Sequence, residues 1–283
     1  MGAMMAKTAI ITGGAGGIAG ALAALLAQRG YRLVLVDLDR DRLATAAARL
    51  ETETRIEEAD LTVPADLDRV AGLIEAEPDL DLLVNNAGII RPGDVVDLAY
   101  ADIERHIAVN LIAPLRLAQA AARRFAAVRS GCILSIVSAA GLTALPGSAA
   151  YSASKFGLRG FLIALSQELA TSGVKVRGVF PGAVDTAMLR YEATHGGSPL
   201  NFLNKDVLTA EQVAQACLRA IDGKALETFL PWSDGVFSRI LCALPGLIPR
   251  LLPSMEEKGR KGMARFLASR GLTAAPSATP KSP

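Results

Sequence analysis

Tyr151 and Lys155 stand four residues apart in SAAYSASKFGL (148–158), a spacing that puts two side chains on one face of a helix. A free tyrosine has a pKa near 10, too high for a base at neutral pH. An ammonium beside it favours tyrosinate and draws that pKa toward the working range, which makes the pair a candidate acid/base centre. Between Thr8 and Val174 the chain uses fourteen arginines and a single lysine, Lys155; lysine is the compact cation with a tunable pKa. A second group lies in TGGAGGIAG (12–20), where glycines join a strand pattern to a helix pattern. Such a turn lets a backbone approach a pyrophosphate, and the helix N-terminus offers N–H groups and a positive dipole. Asp37 follows Gly17 by 20 residues, where a carboxylate accepts hydrogen bonds from ribose hydroxyls and repels a 2′-phosphate. Each feature has an ordinary reading when taken alone: an exposed Tyr/Lys pair, a glycine turn, an aspartate N-cap.

The elements that must position these residues alternate regularly. Strands are expected at 8–12, 31–37, 54–60, 81–88, 131–138, 174–182 and 227–231, and helices at 18–30, 40–51, 65–77, 100–128, 150–171 and 209–221. Apolar strands separated by helices imply a parallel sheet covered on both faces. The fold class expected is therefore α/β: one doubly wound, Rossmann-type domain of about seven strands, with its ligand at the carboxyl ends of the strands. Gly13, Asp37, Asp60, Asn86, Ser138 and the Pro181-Gly182 pair all fall at those ends.

From about Lys7 to Pro231 the chain resembles the short-chain dehydrogenase/reductase family. The family's TGxxxGxG turn matches Thr12, Gly13 and Gly17, with Ile18 next and Ala19 at the last glycine position. NNAG matches Asn85–Gly88, a helix asparagine matches Asn110, and the fifth-strand serine matches Ser138. YxxxK matches Tyr151 and Lys155, and PGxVxT matches Pro181, Gly182, Val184 and Thr186. The resemblance implies hydride exchange between a nicotinamide and an alcohol or ketone, with Asn110, Ser138, Tyr151 and Lys155 catalytic. In that scheme Tyr151 moves the proton, Ser138 holds the substrate oxygen, Lys155 also binds the nicotinamide ribose, and Asn110 anchors a water relay. Gly13, Gly17, Ile18, Asp37, Asp60, Leu61, Asn86, Ala87, Gly88, Pro181, Gly182, Val184 and Thr186 would line the cofactor, with Asp60-Leu61 at the adenine.

Asp37, together with Gly16 where phosphate-binding members place a polar or basic residue, points to NAD(H) rather than NADP(H). Arg40 and Arg42 are the counterweight, since either reaches toward a phosphate. The segment 187–208 reads as a substrate lid; Met188, Leu189, Tyr191, Leu200, Phe202 and Leu203, with Ala139, Leu142 and Leu145, suggest an apolar pocket for a hydrophobic alcohol or ketone. His106 reads as an interface or surface residue and His195 as a lid residue. A non-catalytic, dinucleotide-sensing member of the same fold, working through protein partners, is the alternative, as is an NADP(H)-dependent carbonyl reductase.

Composition narrows the rest. A net charge of +2 over 283 residues, without basic blocks, argues against nucleic acid. Three dispersed cysteines and two histidines argue against a disulfide framework or a metal site and suit a reduced, cytoplasmic protein. No signal-peptide pattern precedes the first strand. The helices at 100–128 and 150–171 resemble the family's dimer-forming pair, so a homodimer or homotetramer is expected. Residues 5–231 form the expected catalytic domain, 232–270 an amphipathic extension interrupted by prolines, and 271–283 a disordered tail. The extension could cover the substrate mouth, form a dimer contact or lie on a membrane surface.

Overall fold

The computed structural model describes residues 7–204 and 206–273; the expected disordered tail lies almost wholly outside them. Seven strands, β1 (Thr8–Thr12), β2 (Arg32–Asp37), β3 (Thr54–Glu58), β4 (Leu80–Asn85), β5 (Cys132–Ile136), β6 (Lys175–Pro181) and β7 (Glu227–Leu230), form one sheet in the order β3-β2-β1-β4-β5-β6-β7. Every pairing is parallel, with Ile10 beside Val34 and Asn85 beside Ser135. The order reverses between β1 and β4, and a crevice opens at such a switch point.

Side chains alternate along each strand and so feed two cores. Ala9, Ile11, Leu33, Leu35, Leu82 and Val84 pack on one face against α1 (Gly17–Gln28), α2 (Arg40–Ala47) and α8 (Ala210–Asp222). Ile10, Val34, Val36, Leu83 and Ile133 pack on the other against α3 (Pro64–Ala76), α5 (Ala113–Val128) and α6 (Ala149–Glu168). Each large side chain removed from water this way contributes roughly 1.5–3 kcal/mol.

Three departures from the sequence expectation matter for the site. β3 ends at Glu58 and β4 at Asn85, so Asp60 and Asn86–Gly88 leave the sheet and line its edge. The expected helix over 100–128 is continuous but not uniform: α4 (Tyr100–Ile107) passes through a π-turn at Ala108–Ile112 before α5. Pro114 is the cause, because it has no N–H for the carbonyl of Asn110 four residues earlier and its ring crowds that carbonyl. The ladder slips accordingly, and the Ala113 N–H bonds the Ala108 carbonyl.

After β6 the chain forms α7 (Ala187–Thr194), and a short turn at Pro199–Phe202 leads back toward α8. Beyond β7 come α9 (Trp232–Ala243), a turn at Pro245–Leu247 and α10 (Ile248–Arg270). α10 lies across the 199–202 turn, where a methyl group at Gly259 or Gly262 would overlap the carbonyl of Pro199 or Phe202. Glycine here permits close approach of two backbones. Leu189, Ala193, Phe202 and Phe266 form a third, small core, with the Phe202 and Phe266 rings 5.2 Å apart.

Candidate active site

At the carboxyl edge of the sheet, Ser138 follows β5 and caps the single turn Ala139–Gly141, its hydroxyl oxygen accepting the Ala140 N–H at 3.1 Å. Its backbone sits at φ 155°, ψ 157°, a region that residues with a Cβ seldom occupy. Tyr151 lies in the first turn of α6, which carries Lys155 on the same face. Lys155 is buried, and its Nζ donates to the Ile136 carbonyl at 3.1 Å, at the end of β5. That ammonium lies over the Tyr151 ring, 5.7 Å from the centroid.

The electrostatics differ from the sequence expectation. Lys155 was expected to pull the Tyr151 pKa down; in the structure it is raised, first by burial, then by the Glu192 carboxylate, with a hydrogen bond to Ser138 opposing both. Burial is the leading cause, and the ammonium lies over the ring while donating to the Ile136 carbonyl. Burial in turn lowers Lys155 to about 8. Glu192 on α7 is a residue the sequence reading passed over. It is buried, accepts from Asn201 Nδ2 at 3.1 Å, and burial lifts its carboxyl to about 7. An acid in an eight-residue helix looks solvated in sequence, because its cover comes from residues further along the chain.

Asn110 and His106 brace the loop after β4. Asn110 Oδ1 accepts the Ile89 N–H and its Nδ2 donates to the Ile89 carbonyl, both at 2.9 Å. His106 is wholly buried, not at the surface as expected. Its Nδ1–H donates to the Asp102 carbonyl at 2.6 Å and its Nε2 accepts the Arg91 N–H at 3.0 Å. Burial lowers its pKa, in keeping with a neutral ring used on both sides. Its ring lies 6.4 Å from that of Tyr151. His195 is exposed and stacks on Tyr191 at 4.1 Å.

The dinucleotide turn is built by exclusion. Gly13 has φ +64°, and a side chain there would strike Ala87 and Asn86 at 2.9 Å. Asn86 Nδ2 donates to the Thr12 and Gly13 carbonyls, and Thr12 Oγ1 accepts the Asn86 and Ala87 N–H groups. At Gly17, by contrast, a Cβ would meet only Thr186 and Ala210, at 3.8 and 3.9 Å, while one at Gly88 would press on Asn110 Oδ1 at 3.3 Å and come within 3.9 Å of Lys155 Nζ. Gly16 caps α1 with no side-chain bond, and its first turn carries no acid. Room at Gly17 beside Thr186, helix N–H groups at one end, and the side-chain-free backbone of Gly88 beside Asn110 and the Lys155 ammonium at the other fit a dinucleotide.

Asp37 Oδ2 accepts the Ala15 N–H at 3.1 Å and Oδ1 the Leu38 N–H at 2.8 Å. The cap of α2 is Asp39, not Asp37. Arg42 also reaches the turn, donating to the Ala15 carbonyl at 3.3 Å. Asp60 takes the Thr62 N–H and hydroxyl, which lower its pKa, with Leu61 beside it. Pro181 ends β6 with Gly182 next, Val184 bridges to Leu208, and Ile18 packs on the α1 core. Not every residue expected to line an apolar pocket is available to one. Leu189 and Phe202 face Phe266, and Leu142 belongs to the main core; Ala139, Leu145, Met188 and Tyr191 stay partly exposed.

A family model described as "short chain dehydrogenase" matches residues 7–196, and the chain belongs to that family. It is an oxidoreductase of CH–OH groups whose fold binds NAD(P). The chain is 36% identical over 182 residues to a 3-oxoacyl-[acyl-carrier-protein] reductase of Rickettsia felis, covering 64% of this chain and 74% of that protein. A short-chain dehydrogenase from Sphingobium yanoikuyae in complex with NADPH superposes with TM-score 0.75 at 32% identity, over 86% of this chain and 95% of the other. The bulky-bulky ketone specific alcohol dehydrogenase of Comamonas testosteroni gives 0.73 at 31%, over 86% and 94%.

Proposed function

We propose that this enzyme interconverts a hydrophobic secondary alcohol and its ketone, with Tyr151 as the proton-transfer residue. The observation that carries the reading is the convergence of the Ser138 and Tyr151 hydroxyls with a buried Lys155 ammonium beside Gly88. Ser138 orients the substrate oxygen and Tyr151 gives it, or takes from it, the proton. The raised pKa keeps that proton on Tyr151 through the neutral range, the state that donates to a carbonyl. Lys155 binds the ribose next to Gly88. The nicotinamide, when bound, supplies or accepts the hydride. Asn110 acts through its main-chain carbonyl, which Pro114 deprives of a helical donor, because its side chain is committed to Ile89. Gly13, Gly17, Ile18, Asp60, Leu61, Asn86–Gly88, Pro181, Gly182, Val184 and Thr186 form the cofactor groove.

Asp37 supports NAD(H), because a 2′-phosphate would meet its carboxylate. Arg42, bonded at the same turn, is the observation that favours the NADP(H) reading, as does the NADPH bound to the Sphingobium relative. The partly exposed Ala139, Leu145, Met188 and Tyr191 support an apolar substrate, as does the Comamonas relative's specificity for bulky ketones. The groove that Ile112, Leu115, Phe161 and Leu165 line on the α5–α6 face supports a second copy packing there.

Turnover of a ketone panel with NADH and NADPH, in the wild type and in Tyr151→Phe, tests the reading. The variant is expected to lose about 10²-fold or more in kcat while still binding cofactor. Equal turnover removes Tyr151 from the chemistry, and tighter NADPH binding by the wild type reverses the cofactor assignment. No turnover by the wild type, with cofactor bound, favours the sensing role.

A further inference from the structure

The extension leaves a patch that the catalytic core does not use. On α9, Trp232, Val236, Phe237 and Ile240 recur at helical spacing and continue into Leu244; they are 73%, 37%, 43%, 49% and 55% exposed. The opposite face is spent on the core: Ser238 and Leu241 are buried, and Gly235 lies against the Phe229 ring. Soluble monomers seldom expose contiguous large apolar side chains in this way. Along the extension the charge is one-sided. Residues 232–273 hold seven Lys/Arg against three Asp/Glu, whereas the whole chain holds 30 against 28.

Four of those cations have partners: Arg239 with Glu227, Arg260 with Glu256, Lys261 with Glu257 and Arg270 with Asp185. Arg250, Lys258 and Arg265 are exposed with no acidic partner among the described residues. No single described helix is long and apolar enough to cross a membrane, and the segments Gly235–Ala243 and Pro245–Arg270 are bent by 98° at the intervening turn.

We propose that α9 and the start of α10 form an in-plane docking element for an anionic lipid surface. The apolar stripe enters the headgroup–acyl boundary, where an amphipathic helix with basic flanks gains both burial and attraction. Trp232, the most exposed of the set, is a residue type that favours this boundary. Pairing the same face with a second copy would leave Arg250, just beyond the stripe, without a counter-charge, whereas anionic headgroups neutralise it. Docking is independent of the substrate reading, and testing it needs no turnover.

Trp232 is the chain's only tryptophan, so intrinsic fluorescence reports directly on the patch. The full chain is titrated with phosphatidylcholine vesicles, with and without phosphatidylglycerol, and recovered by flotation. Expected are a blue shift of emission and co-flotation with the anionic vesicles, both weakened by high salt. Arg250→Gln should lower the partition about fivefold, and Phe237→Ser/Ile240→Ser by roughly tenfold or more, with unchanged melting temperatures. No shift and no flotation of the wild type overturns the proposal. So does loss of a dimer by light scattering in Phe237→Ser/Ile240→Ser when the wild type ignores vesicles, which would make the patch a contact between copies.

Discussion

Replacing Lys155 by methionine should make the protein more stable at neutral pH while disabling it. The wild type buries this ammonium, lowering its pKa from 10.5 to about 8. At 1.36 kcal/mol per unit that costs about 3 kcal/mol wherever the lysine is charged in both folded and unfolded chains, below about pH 8. Methionine fills similar space without the charge but abandons the bond to the Ile136 carbonyl, a loss of about 1 kcal/mol. The net expectation at pH 7 is a gain of about 2 kcal/mol, a rise in Tm of roughly 4–8 °C for a chain of this size. The sign follows from linkage. Between pH 8 and 10.5 the unfolded chain holds more protons than the folded one, so wild-type stability gains on that of the variant as pH climbs. By pH 10.5 the penalty has faded and the variant should be the weaker by about 1 kcal/mol. Denaturant titrations of both proteins from pH 7 to 10.5 measure the gap, and titrations common to both cancel. Parallel curves, or a variant less stable at pH 7, would refute the claim that a desolvated charge is stored at this position.

Glu192→Gln should act in a lower pH window. Its raised pKa, from 4.5 to about 7, means that wild-type stability declines as pH rises across that interval. The variant should be the more stable above pH 7, by up to about 3 kcal/mol, and equal below pH 4.5 in paired melts. It should also lower the Tyr151 pKa, moving the alkaline limb of the pH–rate profile to lower pH. Gly262→Ala should lift α10 off the 199–202 turn at a cost of about 1–3 kcal/mol, read as faster proteolysis within 248–270. Gly246→Ala, with nothing within 4 Å of the added methyl, should leave proteolysis unchanged.

The strands were legible because buried parallel strands are written as apolar runs punctuated by small and polar residues, as in TAIIT before Gly13 and DLLVN before Asn86. The parallel sheet with its site at the carboxyl ends followed from their number and from the helices between them; where the strand order reverses did not, because order is set by packing rather than by the runs themselves. Local spacing also carried Lys155 to the face of Tyr151. What spacing could not carry was the direction of the ammonium, since the Ile136 carbonyl that receives it lies 19 residues away. Pro114 did hold a legible signal: a proline inside a long helix deprives the carbonyl four residues earlier, and that residue is Asn110. His106 and Glu192 were illegible for the opposite reason, as the partners that hold them buried, Arg91 and Asn201, lie on separate loops. Phe202 was misplaced in the substrate pocket because its partner, Phe266, comes 64 residues later. Asp37 and Arg42 meet at Ala15, so the sequence names both contenders for the ribose without ranking their reach.

The third core joins two stretches that a protein engineer would treat as separate modules. Asp185, between the Val184 and Thr186 of the cofactor groove, receives Arg190 from α7 and Arg270 from the last turn of α10. A chain trimmed to the residues shared with the family would leave the inner side of α7 bare and that carboxylate without Arg270. A chimera that exchanges the lid between relatives must therefore carry its own final helix with it, and selection on either piece is felt by the other.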